Sequence, residues 1–370
     1  MLVGSDRVGI VLVTSPARSH PSTDIIWGAL GSTSLLRGLD AAPITVVCDG
    51  CRTPADLSAE HAVRAQKKLD RDPCATSKRG IVANEIGQAY EEYQARLRDE
   101  ILRRGLSERI SVESLSSHHG FALCVRHGLE HMRRRGKEYA LVVQHDRAFI
   151  RRVEEADMRR VLEAFETDAT TRYVGFPSST SKGQATRLQP KYKLGRLLDA
   201  RTRPLRDGLM LRPTIFWWDS NHLLHIDRGL RCLYQPFLQA PPVLRAVCAE
   251  RHGGLGAFTL RPGDFIEDRF GTEQRAVLTS MHAAPEEELL EAFDFFGSYV
   301  IEEVAPEEEP LDFAGPPADA MGGVADGQDG PPTVCDLLDH RRRASHVAHI
   351  DARGSRPRAW LPLLPRLEEG

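Results

Sequence analysis

Three short apolar runs along the chain share one form. Val8-Gly9-Ile10-Val11-Leu12-Val13 breaks into Thr14-Ser15-Pro16-Ala17-Arg18. Ile44-Thr45-Val46-Val47-Cys48 breaks into Asp49-Gly50. Tyr139-Ala140-Leu141-Val142-Val143 breaks into Gln144-His145-Asp146-Arg147. None alternates apolar with polar positions, so each predicts a strand buried on both faces, as in a mostly parallel sheet. Between them lie segments of helical period. Asp24 to Leu39 places Ile25, Ile26, Ala29, Leu30, Leu35, Leu36 and Leu39 on one stripe. Ala83 to Leu106 is the longest helical segment. His119 to Arg135 carries Phe121, Cys124, Val125, Leu129 and Met132, a basic last turn and Gly136 as a C-cap. With Arg109 to Leu115 as a further strand, the chain opens β-α-β, the unit that builds parallel sheets. Residues 51–82 are polar and read as a long loop.

After residue 150 the pattern predicts a helix over Glu154 to Phe165 and a strand over Arg172 to Pro177. An apolar, aromatic run from Leu209 to Trp218 leads into Asp219-Ser220-Asn221-His222. Helical segments follow at 229–250 and from Glu286 to Phe293, with a last strand near Gly297 to Ile301. From Pro306 the composition turns to Pro, Gly, Glu and Asp, which predicts a disordered or loosely packed tail over 306–370. The expected organisation is one α/β domain over 1–305, with a ligand-binding half (7–150) and a second half (151–305), around a mostly parallel sheet flanked by helices.

Composition narrows the function classes. The formal charge is -3 over 370 residues, so no global field recruits nucleic acid. No apolar stretch reaches the ~18 residues of a transmembrane helix. Met1 to Thr14 has no basic leader and no small-residue cleavage site. The expectation is therefore cytoplasmic, with a secretory lumen open if the chain is a fragment. The seven cysteines are scattered, and Cys48-Asp49-Gly50-Cys51 is the single C-x-x-C, which speaks against a zinc ribbon.

The candidate chemistry lies where strands end, because α/β proteins bind ligands at the carboxyl edge of the sheet. Asp146 can hold a divalent cation, or cap the helix that follows. His145 is a second candidate ligand. Strand alternation, however, puts Asp146 on the face of Gln144. Asp49 can accept hydrogen bonds from a ribose or a base, or serve an Asp-Gly turn. Arg18, in the loop Thr14 to Arg18, can pair with phosphate or stay exposed. No G-x-x-x-x-G-K-[ST] and no G-x-G-x-x-G is present. Trp217 and Trp218 beside Asp219 suit a sugar ring, or one tryptophan fills the core. Glu267-Asp268, between Phe265-Ile266 and Arg269-Phe270, offers a general base or a metal ligand, or is a solvated acidic turn.

In this order the pieces resemble a GT-A-fold glycosyltransferase, over roughly residues 7–303. That resemblance implies a nucleotide-diphospho-sugar donor and a hydroxyl acceptor on a glycan, protein or small molecule. Thr14, Pro16, Arg18, Asp49, Gln144 and His145 would hold the nucleotide sugar. Gln144-His145-Asp146 would stand at the Asp-x-Asp motif, with Asp146 on Mn²⁺ or Mg²⁺. Trp217, Trp218 and Asp219 would bind the acceptor, and Glu267 or Asp268 would deprotonate it. The chain departs from the pattern at Gln144, where the first acid belongs. Two other readings stay open: a non-catalytic protein of the same fold, and a nucleotidyltransferase.

Overall fold

The apolar runs become strands with no solvent on either face: every residue of β1 (Val8–Thr14) and of β2 (Ile44–Cys48) is buried. The computed structural model describes residues 6–75, 79–178, 181, 185–303 and 347–349. Between and after these two strands come α1 (Asp24–Ser32), α2 (Ala59–Leu69), α3 (Asn84–Arg103), β3 (Ile110–Ser114), α4 (Gly120–Arg134), β4 (Tyr139–Gln144), β5 (Arg147–Phe149), α5 (Glu155–Thr167) and β6 (Tyr173–Gly175). The second half adds α6 (Ala185–Tyr192), α7 (Gly195–Arg201), β7 (Arg203–Arg206), β8 (Leu209–Pro213), β9 (His222–His225), α8 (Ile226–Tyr234), α9 (Pro236–Gln239), α10 (Pro242–His252), α11 (Thr272–Ser280), α12 (Glu286–Phe296), β10 (Ser298–Glu303) and β11 (Val347–His349).

Nine strands form one sheet in the order β3-β2-β1-β4-β9-β6-β10-β8-β7. The four from β3 to β4 are mutually parallel. β9 runs against both its neighbours, and β8 runs against β10 and β7. Since β6 and β10 are parallel, all strands but β8 and β9 point one way. This is the α/β class expected from the sequence, a large, mostly parallel sheet flanked by helices. The register aligns the functional ends: Thr14 is opposite Cys48, and Val13 is opposite Gln144. The loops after β1, β2 and β4 therefore leave the sheet side by side. β1 sends its chain to β2 on one side and has β4 on the other, which is the switch point where such sheets open a crevice.

α4 lies so close to the sheet that glycine is needed at two contacts. A Cβ on Gly128 would stand 2.3 Å from Val11 Cγ1, and one on Gly9 would stand 2.3 Å from Met132 Sδ. This contact fixes the N-terminus of α4 above the ends of β1 and β2.

One expectation needs revision, and two segments gain detail. Residues 51–82 are not one long loop, because α2 forms there; Ala65 and Leu69 pack with Ala83, Leu57, Ile81 and Ile86 in a small cluster of their own. Its single apolar edge is too sparse to stand out in a segment rich in Lys, Arg and Glu. The run Leu209 to Trp218 is a strand only to Pro213, and the aromatics beyond it leave the sheet. In the tail, Val347–His349 pairs antiparallel with β5, with His349 in register opposite Arg147; residues 306–346 and 350–370 lie outside the described residues. Among the described residues no helix is long and apolar enough to cross a membrane.

Candidate active site

The loops at the carboxyl edge enclose a cleft of ≈ 330 Å³. Ser15 and Pro16 come from the loop after β1, and Asp49 to Cys51 from the loop after β2. Gln144 to Arg147 come from the turn after β4. Asp219, Phe265 and Glu267 come from the second half. Asp49, Asp146 and Glu267, which are far apart in sequence, thus line one cavity. The roles the sequence reading gives them are taken up below as proposals.

Each wall has a local cause. The loop after β1 is fixed from behind by α3. The Tyr90 hydroxyl donates to Thr14 O at 3.2 Å and the Tyr93 hydroxyl to Thr14 Oγ1 at 3.4 Å. His20 stacks on Tyr93, with ring centroids 4.0 Å apart, and its Nδ1 accepts the Ala17 N–H at 3.1 Å. Burial drives the His20 pKa down to about 3, so the ring is neutral. Asp49, 2% exposed, anchors the start of α4. Its Oδ1 accepts the His119 N–H at 2.7 Å and its Oδ2 the Gly120 N–H at 3.0 Å, with His118 Nδ1 2.8 Å from Oδ2. A carboxylate at a helix N-terminus meets unpaired N–H groups and the positive end of the helix dipole. Gly120, at φ +74°, lies against Gly263, and a Cβ there would stand 2.5 Å from Gly263 Cα. The second half closes on the first through this glycine contact.

The far wall is a pair of carboxyl groups. The Asp219 N–H donates to Glu267 Oε2 and the Glu267 N–H donates to Asp219 Oδ1, both at 3.2 Å. Asp219 is buried. Burial first, and then the neighbouring Glu267, raise its pKa well above the usual carboxylate value. Glu267 opens a π turn, Glu267–Gly271, a local widening of the helix often found where a side chain must be aimed. Asp268 is exposed and is not part of the cleft wall.

The β4 end holds a feature that sequence reading missed. Arg147 lines the cleft, and its Nε donates to Gln144 Oε1 at 2.9 Å. Asn221 Nδ2 donates to Arg147 O at 3.1 Å, and Asn221 Oδ1 accepts the Gln144 N–H at 3.4 Å. Gln144 therefore orients a guanidinium. The sequence did carry a signal for this, an arginine directly after the strand-end cluster. His118, at a helix start from which the sequence lets it reach a ligand or serve as a polar helix entry, also lines the cleft, as does Cys51, which was not singled out for it; burial raises the Cys51 pKa to about 11, which keeps it a thiol.

Other sequence candidates fall elsewhere. Pro16, Asp49, Gln144, His145, Asp146, Asp219 and Glu267 are brought together. Thr14 is fully buried at the end of β1, bonded to α3 and away from the cleft wall. Arg18 is exposed and pairs with Asp72 at 2.5 Å. Trp217 is a core residue packed on Tyr173 and Phe270. Trp218 is half-buried against Phe216, with ring centroids 4.3 Å apart, and also off the wall. The aromatic pair was legible as a motif, but the chain leaves the sheet after Pro213, so strand alternation does not decide where the rings point.

Among the described residues no three His, Cys, Asp or Glu side chains converge on a common point that could hold a metal ion. Asp49 is engaged by α4, and Asp219 by Glu267. A divalent cation at Asp146 would need further oxygens from a ligand, as a diphosphate supplies; Mg²⁺ is commonly held by one or two carboxylates and substrate phosphates.

No protein-family model matches the chain, and no curated protein matches it by sequence. Among solved structures it is similar to S. aureus TarS 1–349, at 10% identity and a TM-score of 0.30, over 81% of this chain and 59% of that one. It therefore spans less than two thirds of that TarS chain. It is similar to mouse xyloside xylosyltransferase 1, at 12% identity and a TM-score of 0.28, over 76% of this chain and 83% of that one. A UDP-glucose pyrophosphorylase gives 10% identity and a TM-score of 0.29, over 80% of this chain and 90% of that one. Superposition this loose carries no weight for the reaction, which has to be argued from the cleft.

Proposed function

We propose that this chain transfers a sugar from a nucleotide-diphosphate donor to a hydroxyl acceptor. The observation that carries the reading is the shared cleft: a cationic side chain and Asp146 at the β4 end, and the Asp219–Glu267 pair, all line one cavity at the switch point of the sheet. Glycosyl transfer needs this combination. Negative charge develops on the leaving diphosphate and must be offset. An acceptor hydroxyl must lose its proton as its oxygen bonds to the anomeric carbon.

In this reading Ser15, Pro16, Cys51 and Val82 form the wall for the nucleoside, and Arg147 faces the diphosphate. Asp146 would hold a divalent cation together with diphosphate oxygens, and that cation supplies Lewis-acid stabilisation of the leaving group. Glu267 takes the acceptor proton in an inverting transfer. Asp219 positions it, because its N–H fixes one Glu267 oxygen and its Oδ1 fixes the Glu267 backbone. Asp268, exposed, is set aside as the base. Asp49 serves as the clamp that sets the α4 N-terminus against the cleft.

Calorimetry with UDP and GDP, with and without Mn²⁺, tests the reading. A nucleoside diphosphate binds, Mn²⁺ strengthens binding, and Asp146→Ala loses the Mn²⁺ increment. No binding of either nucleotide under either condition would sink the proposal. Release of pyrophosphate from a nucleoside triphosphate and a sugar phosphate would favour the nucleotidyltransferase instead.

A further inference from the structure

Gln144 stands where the resemblance calls for an acid, and its side chain already has a partner, the Nε of Arg147 at 2.9 Å. Among the described residues lining the cleft, Arg147 is the single Lys or Arg, beside Asp49, Asp146, Asp219 and Glu267. Its guanidinium is held by Gln144, and its charge is felt by buried Asp219 across the cleft. Arg18, the arginine expected to meet phosphate, lies off the cleft wall and is paired with Asp72. The backbone on both sides of the turn is held by one side chain, Asn221, which bonds Gln144 N–H and Arg147 O. An acid at position 144 would sit on this guanidinium and neutralise it. An amide aligns it and leaves its charge intact.

We propose that Gln144 and Arg147 form a built-in anion clamp that binds the donor's diphosphate without a divalent cation. This rests on the nucleotide-sugar reading given above and adds to it the source of the positive charge. The planar guanidinium keeps Nη donors for two phosphate oxygens while Nε stays on Gln144, a geometry suited to bidentate phosphate contact. A cation beside Asp146 then adds to binding and is not a condition for it. The substitution of Gln for an acid is thus a change of charge carrier from metal to arginine.

The test is calorimetric titration of UDP and GDP into the full chain, in EDTA and in Mn²⁺. Wild type binds one of the two in EDTA. Arg147→Ala weakens that binding ten- to a hundredfold, and Arg147→Lys keeps part of it. Gln144→Asp weakens binding in EDTA about tenfold and recovers it in Mn²⁺, because the new carboxylate cancels Arg147 and supplies a second metal ligand. If Arg147→Ala fails to fold, Arg147→Met, which keeps the aliphatic stem, replaces it. Wild-type binding that appears only with Mn²⁺ overturns the clamp and leaves the transferase reading standing. Unchanged affinity in folded Arg147→Ala or Arg147→Met also overturns the clamp. No binding of UDP or GDP in either condition overturns the transferase reading and the clamp with it.

Discussion

Asp49 offers the sharpest test of how the cleft is built. Its carboxylate accepts two backbone N–H groups at the start of α4, from His119 at 2.7 Å and Gly120 at 3.0 Å, and His118 Nδ1 approaches one of the same oxygens at 2.8 Å. Hydrogen bonds to a charged acceptor contribute about 1.5–3 kcal/mol each, and a carboxylate at a helix N-terminus adds about 0.3–1 kcal/mol. The two bonds share one acceptor group and water can enter from the cleft, so their effects do not add in full. Asp49→Ala should cost about 3 kcal/mol. That is a large part of the roughly 5–15 kcal/mol by which domains are stable. Asp49→Asn keeps one acceptor oxygen and turns an amide NH₂ toward the other donors; it should cost about 1–2 kcal/mol. Nothing can fill the gap by a shift of the neighbouring chain, because a Cβ on Gly50 would already stand 2.4 Å from the Ser117 carbonyl carbon. Urea denaturation followed by circular dichroism, with the slope compared between variants, measures the loss. The reasoning fails if Asp49→Ala costs less than about 1 kcal/mol while nucleotide binding disappears. Asp49 would then be a ligand contact, as the strand-end reading of the sequence expected, and not a clamp on α4.

Two further predictions follow from the site and the core. Glu267→Gln keeps an oxygen to accept the Asp219 N–H at the position now 3.2 Å away. Turnover should fall by about 10²- to 10⁴-fold with donor affinity unchanged, read by nucleotide release and calorimetry; equal turnover would remove Glu267 as the base. Burial lowers the pKa of His20 to about 3 and that of His222 to about 4. The unfolded chain, with histidines near 6.5, binds protons that the folded chain refuses. Stability is therefore full above about pH 6.5 and falls as pH drops toward the folded values, by about 2 kcal/mol per residue at pH 5. Melting temperatures between pH 7.5 and 5 measure this; a flat profile there would mean that these rings are hydrated.

Much of the fold was legible because parallel sheets write a strong signal. β1, β2 and β4 are buried on both faces, so their sequences are unbroken apolar runs with sharp polar ends. α4 has a full apolar stripe and a glycine cap. The carboxylates at those ends were legible for the same reason. α2 was not, since a helix resting on a small cluster needs only Ala65 and Leu69 inside. The partners of the carboxylates were not legible either. Asp49 reads as a turn residue until α4 arrives 70 residues later, and Asp219 and Glu267 are separated by 48 residues that include three helices.

By itself, the sequence determined the class of the fold, the strands of its sheet and the acids at their carboxyl ends, because burial and strand period act locally. Tertiary structure alone decided what those acids touch. It gave Asp49 to the α4 N-terminus, placed Asp219 against Glu267, buried Trp217, sent Arg18 to Asp72, and set Gln144 against Arg147. These outcomes depend on distance and dielectric between residues far apart in the chain, which no local pattern records.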